Sequence, residues 1–419
     1  MASNEKDIGL PGEKIEAIND TAGTHINPVA EKKLLRKCDI RVLPPLFMLF
    51  LLAFLDRTNI GNAKIQGMTK DLNMVGADYN IALFVFFIPY YKRYELQWRF
   101  TLFFTASIIA GGFGGLFAFA LAKMNGIGGY AGWRWIFIIE GLLTIVLGII
   151  AKFWVIDWPE TAKFLNEDER ALLIARLTAD TGDATMNHLD KRAARRIFSD
   201  LKIYLGTIMY FGIVNTGYAG SFFIPTIIKE LGYTSSAAQV RSIPIFVVAT
   251  CTAIIAAYFT DRLRHRFWFC IFGLVVASVG YILLLCGSNL SAGVKYFALF
   301  LIVPGGYITQ PIVLVWMSNL VSGHYKRSVS SAMQVGLGNI GGIVASNVFF
   351  ESEAKNARYP TGYGVSLGML WICGAATVVL FWYVKRENRK RERGERDWRL
   401  EGDDRENLGD DHPHFRFTT

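Results

Sequence analysis

The sequence predicts an all-α integral membrane protein, and three observations carry that expectation. The chain is apolar for its size, with 52% hydrophobic and 19% charged residues among 419, a balance unlike that of soluble domains. Its hydrophobic residues come in blocks of about twenty, the length that crosses ~30 Å of hydrocarbon as a helix. Its basic residues also sort by side. With the N-terminus placed inside, inner segments hold 33 of the 44 Lys and Arg and outer segments hold 9, the bias that orients membrane helices. The net charge of +9 is thereby explained as topology, and no nucleic-acid partner is expected.

Residues 1–40 read as a polar cytoplasmic tail with no apolar core of the signal-peptide kind, so the first span itself directs insertion. That span, Val42 to Ala63, opens with fourteen apolar residues and then places Asp56, Arg57 and Asn59 at membrane depth. Asp56 and Asn59 share one helix face, with Arg57 offset to the side. A charge at a helix centre costs about 2.5–3.5 kcal/mol on insertion scales, so such residues point to a polar site in a protein-lined cavity. Arg57 and Asn59 would meet an anion and Asp56 would take a proton. The plainer alternative is an Asp–Arg pair that only ties helices together.

Asn80 to Tyr91 is an apolar run too short to cross comfortably, and it breaks off into YKRYELQWR. Phe100 to Ala122 is a full span whose Gly111 and Gly115 form a GxxxG, a pattern that admits a close neighbour. Trp135 to Val155 follows and carries Glu140, either a proton-linked carboxylate or a structural partner for a basic residue. Residues 157–202 are a polar linker at the cytoplasmic surface. Within it NEDERALLIARL reads as an amphipathic helix with Asn166 as N-cap and Glu169 three residues on.

The second half supplies six spans: Ile203 to Ile228, Ile243 to Thr260, Phe267 to Cys286, Tyr296 to Met317, Val329 to Phe350 and Val365 to Val384. The tail from Lys385 mixes both charges and is expected to be disordered beyond a first helical stretch.

Several polar residues interrupt these spans. Asn215, Tyr218, Gln310, Gln334 and Asn339 could each bind a substrate or hold helices together. The turn TDRLRHR places Asp261, Arg262, Arg264 and Arg266 at a helix end, where they could latch neighbouring helices or serve only as a basic inner loop. Gly336, Gly338 and Gly341 match GxGxxG, but with no preceding strand the pattern means close helix packing and no dinucleotide. The five cysteines show no CxxC, and no HExxH or GxSxG occurs, so no metal, cofactor or enzyme activity is expected. Asn289-Leu-Ser291 is an outward-facing glycosylation sequon.

Taken together, FLDRTNIGNAKI, YNIALFVFFIPY, GWRWIFIIEGLLTI, WPETAKFLNEDER, SFFIPTIIKELGY, TDRLRHR and SAMQVGLGNIGGI resemble the fungal allantoate permease branch of the anion:cation symporters. That branch lies within the major facilitator superfamily, and its nicotinic acid permeases are the most similar in pattern. The resemblance runs from about residue 31 to about residue 393. It implies two helix bundles that rock about a central site, with proton-coupled uptake of a small organic anion. Asp56 and Arg57 would be the first-helix proton and anion residues, and Asp261, Arg262 and Arg264 would belong to the latch motif in its second-half copy.

Family members have twelve spans, whereas this chain shows about ten. The text passes from FFIPY, midway through the second span, to YKRYE, the loop after the fourth. The expected architecture is therefore a truncated N-terminal bundle over 41–156, the linker 157–202, a six-helix C-terminal bundle over 203–384 and a cytoplasmic tail 385–419. The expected partners are the anion, a proton and the lipid bilayer, for a monomer in the plasma membrane. A non-transporting sensor or defective paralogue is the alternative.

Overall fold

The computed structural model describes residues 28–65, 91–93, 95–154, 161–181, 191–287, 290–353, 359–401 and 407–419. Among these residues the chain is helical and contains no strand. In the first half, α1 spans Pro28–Ile65, α2 Leu96–Ala122 and α3 Gly132–Trp154. The linker contributes α4 (Glu167–Thr181) and α5 (Lys191–Phe198). In the second half, α6 is Leu201–Glu230, α7 Ser235–Leu263, α8 Phe267–Cys286 and α9 Ala292–Leu320. The chain continues through α10 (His324–Gly338), α11 (Ile340–Asn347) and α12 (Pro360–Glu392). The run Asn80 to Tyr91 lies outside the described residues except for Tyr91, and Asn289 lies outside them too.

Local chemistry sets where several helices begin. The Asp200 side chain accepts from the Lys202 N–H at 3.0 Å and starts α6, while Thr234 accepts from Ala237 and starts α7. Pro360 occupies the first turn of α12, where its missing N–H costs nothing. The linker helix starts at the expected residue: the Asn166 N–H donates to Glu169 Oε2 at 3.0 Å, one arm of a capping box.

Five helices among the described residues are long and apolar enough to cross a membrane: Leu201–Glu230, Ala237–Leu263, Phe267–Cys286, Ala292–Leu320 and Pro360–Glu392. Their outward faces carry large apolar side chains, such as Trp268, Phe272, Val275 and Val279 on α8. These recur at helical spacing, as a lipid-facing surface requires. By contrast α9 is enclosed, packed against α6, α7, α8 and α2.

The expected single span Val329 to Phe350 is instead two helices that meet at Asn339. The reason is the glycine cluster around the break. A Cβ at Gly338 would lie 2.4 Å from the Tyr210 ring, and one at Gly341 would lie 2.2 Å from the Phe211 carbonyl oxygen. Only glycine lets α10 and α11 approach α6 this closely, and glycine also weakens helix continuity.

The halves meet along α2 with α7 and α9, and along α1 with α6. At one end of this seam the loops, the linker and the tail are joined by ion pairs. Arg176 of α4, fully buried, bonds Glu31 at 2.8 Å and Glu95 at 2.5 Å, while Lys92 also holds Glu31 at 2.7 Å. The Lys92 hydrogen bond, with Arg176 behind it and against some desolvation, keeps the Glu31 carboxyl below its ordinary range. Arg99 forms a two-pronged pair with Asp39 at 2.5 and 3.0 Å. Residues 407–419 were expected to be free of structure; they fold back onto this same end, with Asp410, Phe415 and Phe417 buried.

Candidate functional site

A narrow cavity lies at the seam, with about 20 Å³ of space for water-sized occupants, room for one ordered water. The first half contributes Phe50 of α1 with Phe104 and Ser107 of α2. The second half contributes Tyr210, Val214, Gly217 and Tyr218 of α6, Tyr307 and Gln310 of α9, and Asn339 at the α10–α11 break. Every described lining residue is uncharged.

Three of the polar residues singled out in the sequence converge here. The Tyr218 hydroxyl donates to Asn339 Oδ1 at 3.5 Å, a long contact that a ligand could replace. Gln310 is buried, and its Oε1 has no hydrogen-bond partner among the described residues. A Cβ on Gly217 would come within 2.8 Å of that oxygen, so the glycine makes the space that Gln310 occupies. Tyr307 shares a 3.4 Å contact with the Ser221 hydroxyl and stands 6.3 Å from the Phe104 ring. The result is an aromatic slot with amide and hydroxyl groups at its edge, closed down in this arrangement to the size of one water.

The other residues fall elsewhere. Asn215 turns into the second half and donates to Ser366 Oγ at 2.8 Å. Gln334 donates to the carbonyls of Gly206 and Val313 at 3.3 and 3.2 Å, tying α10 to α6 and α9. Glu140 is buried on the face of α3 that also buries Gly132 and Ile136, and α3 packs on α1 and α2. It is absent from the cavity lining. Asp56, Arg57 and Asn59 belong to α1, and their side chains lie outside the described residues.

At the loop end of the seam, Asp261 accepts from the Trp98 backbone N–H at 2.8 Å. Trp98 is in the first turn of α2, whose N-cap Glu95 makes no side-chain cap bond, so the second half caps a first-half helix. Beside it, Arg266 Nη2 and Asn319 Nδ2 both donate to the Arg93 carbonyl, at 3.0 and 2.8 Å. Arg262 reaches the Tyr258 hydroxyl on its own helix, and Arg264 takes the left-handed turn that ends α7. Arg266 was legible as part of the basic turn, whereas Asn319 and Ser107 were not singled out in the sequence. Ser107 is one of three hydroxyl residues in its span, with Thr101 and Thr105, and only tertiary contact marks it and Asn319.

Such a two-bundle membrane architecture with a polar cavity at its seam is that of a solute carrier. A family model of the Major Facilitator Superfamily matches residues 90–346. An uncharacterized transporter of Schizosaccharomyces pombe is 30% identical over 455 aligned positions, covering 91% of this chain and 90% of the relative. The chain belongs to the Major Facilitator Superfamily, and it is not an enzyme. A high-affinity nicotinic acid transporter of Saccharomyces cerevisiae is 26% identical, over 86% of this chain and 79% of that protein. Among solved structures, the proton:xylose symporter XylE bound to 6-bromo-6-deoxy-D-glucose superposes with a TM-score of 0.52 at 13% identity, over 90% of this chain and 87% of the other. That likeness is one of fold. An alignment 455 positions long that holds 91% of 419 residues leaves positions of the relative with no counterpart here.

Proposed function

We propose that this chain is a secondary transporter that takes up a small organic monocarboxylate, such as nicotinate, together with a proton. The observation that carries the reading is the meeting of Tyr218, Gln310 and Asn339 with Phe50 and Ser107 at the seam. A solute held between two rocking halves is exposed to one side and then to the other. Widened as the halves part, the aromatic slot would suit a pyridine ring, and the named nicotinic acid relative supports that substrate class.

An anion also needs a cation. The described lining supplies none, but Arg57 follows Phe50 by seven positions on α1. Seven positions are about two turns, so helix register brings position 57 to the face of Phe50, roughly 10 Å along the axis. Arg57 would hold the carboxylate, while Asp56, with Asn59 on its own face of the helix, would carry the proton and Glu140 would support it from α3. The end bearing the linker and tail would be cytoplasmic, in keeping with its basic loops. Asp261, with Arg266 in place of Arg262 and Arg264, would latch that end. The carrier would work as a monomer in the plasma membrane.

The test is nicotinate uptake into proteoliposomes under an inward proton gradient. Uptake is expected with the gradient and not after its collapse. Arg57→Gln is expected to abolish it without changing the amount of folded protein.

One observation favours a second reading, a non-transporting paralogue or sensor: the relative's positions that face no residue here. On the text break at Tyr90–Tyr91 the loss would fall in the first-half wall, and a missing wall would open the seam to lipid. Inserting the family's segment between Tyr90 and Tyr91 separates the two readings. If the native chain and the restored chain are both folded and both idle, the sensor reading stands.

A further inference from the structure

The tail does not run off into solvent. Its Asp410 carboxylate is fully buried and receives Lys202 Nζ and Lys326 Nζ, each at 2.9 Å, together with the Ser322 N–H at 3.3 Å. Asp200 joins the same cluster, 2.9 Å from Lys202 and 2.7 Å from Lys326. Seven residues on, the Phe417 ring lies between the Lys202 ammonium at 4.6 Å and the Arg391 guanidinium at 4.2 Å. Its backbone exchanges two hydrogen bonds with the Asn388 side chain, at 2.9 and 3.0 Å.

These contacts cross the seam. The Thr418 carbonyl accepts from Trp316 Nε1 at 3.0 Å and the Thr419 carbonyl accepts from the Arg266 N–H at 2.9 Å, both in the second half. The Arg416 carbonyl accepts from Arg93 Nη1 at 3.2 Å, and the Arg93 guanidinium lies 4.8 Å from the Phe415 ring. Arg93 belongs to the first half, and its own carbonyl is gripped by Arg266 and Asn319. The tail therefore sits on the contact that must part if the halves are to open at this end.

We propose that residues 407–419 are a resident plug, an acidic and aromatic segment that occupies a dibasic cleft at the inner mouth and holds the halves closed there. The proposal rests on the carrier reading above, with this end cytoplasmic. Charge accounting makes Asp410 the anchor of the plug, so that release needs a substitute for its charge. Asp200 and Asp410 balance Lys202 and Lys326, and without Asp410 the lysines carry a surplus positive charge that only water or another anion can relieve. The segment beyond Asp411 has no helix of its own, so its contacts can be lost one at a time.

The experiment uses the full chain carrying Cys251→Ser and Cys286→Ser, with Ser322→Cys as a reporter beneath Asp410. Inside-out vesicles are treated with a membrane-impermeant maleimide. Deleting 407–419 is expected to raise the labelling rate at least tenfold, and adding the peptide NLGDDHPHFRFTT is expected to restore protection. The same peptide with Asp410→Asn and Phe417→Ala should not protect. Should the deletion variant fold poorly, those two substitutions in the intact chain provide the same comparison, with labelling again expected to rise. An unchanged rate in a folded variant, or a native peptide that gives no protection, overturns the proposal. Labelling needs no transported solute. Release and re-protection without any nicotinate uptake would therefore uphold the plug and count against the carrier reading alone.

Discussion

The Asp261 carboxylate of the second half accepts a 2.8 Å hydrogen bond from the backbone N–H of Trp98 in the first half. It does for α2 what an N-cap side chain does within one helix, and its negative charge also faces the positive end of the helix dipole. The bond exists only while the halves are closed at this end. Asp261→Ala is expected to cost roughly 1 kcal/mol in that state, and Asp261→Asn less, because the amide can still accept. Hydrogen exchange at residues 96–99 checks this: protection should fall in the alanine variant and recover in part in the asparagine variant.

Gln310 and Asn215 separate binding from folding. Gln310 presents an oxygen without a described partner at the cavity, so Gln310→Ala is expected to weaken substrate affinity about tenfold, equivalent to ~1.4 kcal/mol, with little loss of stability. Asn215→Ala removes the buried bond to Ser366 and is expected to cost roughly 1 kcal/mol of stability. Paired binding and thermal-unfolding measurements on the two variants should show opposite patterns.

The linker should be pinned at neutral pH and released in acid. Glu31 is held below its ordinary range chiefly by Lys92, and Glu169 chiefly by the Lys37 hydrogen bond. A carboxyl depressed on folding contributes stability above its unfolded pKa, and that contribution is lost as pH falls through the folded value. The window therefore lies below the ordinary value of 4.5. Glu31→Gln is expected to lower the melting temperature at pH 7, and the deficit should shrink toward pH 3.5. Arg176→Ala should cost roughly 2 kcal/mol, less than a fully buried pair because its carboxylate partners are part-exposed.

Gly341 tests the packing of the broken helix. A Cβ there would meet a backbone oxygen of Phe211, which cannot swing aside as a side chain could. Gly341→Ala is expected to destabilise by roughly 1–3 kcal/mol. Gly364, with open space around its Cβ position, is the control, and Gly364→Ala should melt near the parent temperature.

The helical membrane class was legible from the sequence because length and hydropathy act locally: twenty apolar residues in a row have few other stable fates. The linker helix was legible for a similar reason, since Asn166 and Glu169 stand within one turn of each other. Among the candidate site residues, Tyr218, Gln310 and Asn339 could be named as polar groups in apolar helices. Their sequence positions did not tell them apart from Asn215 and Gln334, which bond within the second half. That distinction depends on which way each side chain faces once α6, α9 and α10 are packed.

By itself, then, the amino-acid order determined that this chain is a helical membrane protein and which segments carry positive charge. Tertiary structure decided which polar groups share a cavity, that Arg266 and Asn319 grip Arg93, and that Asp410 reaches Lys202 and Lys326 across 208 and 84 residues. The physical reason is range. Helix formation and burial in lipid are settled by neighbours a few residues away, whereas a hydrogen bond between remote segments exists only after the helices that carry them have been brought together.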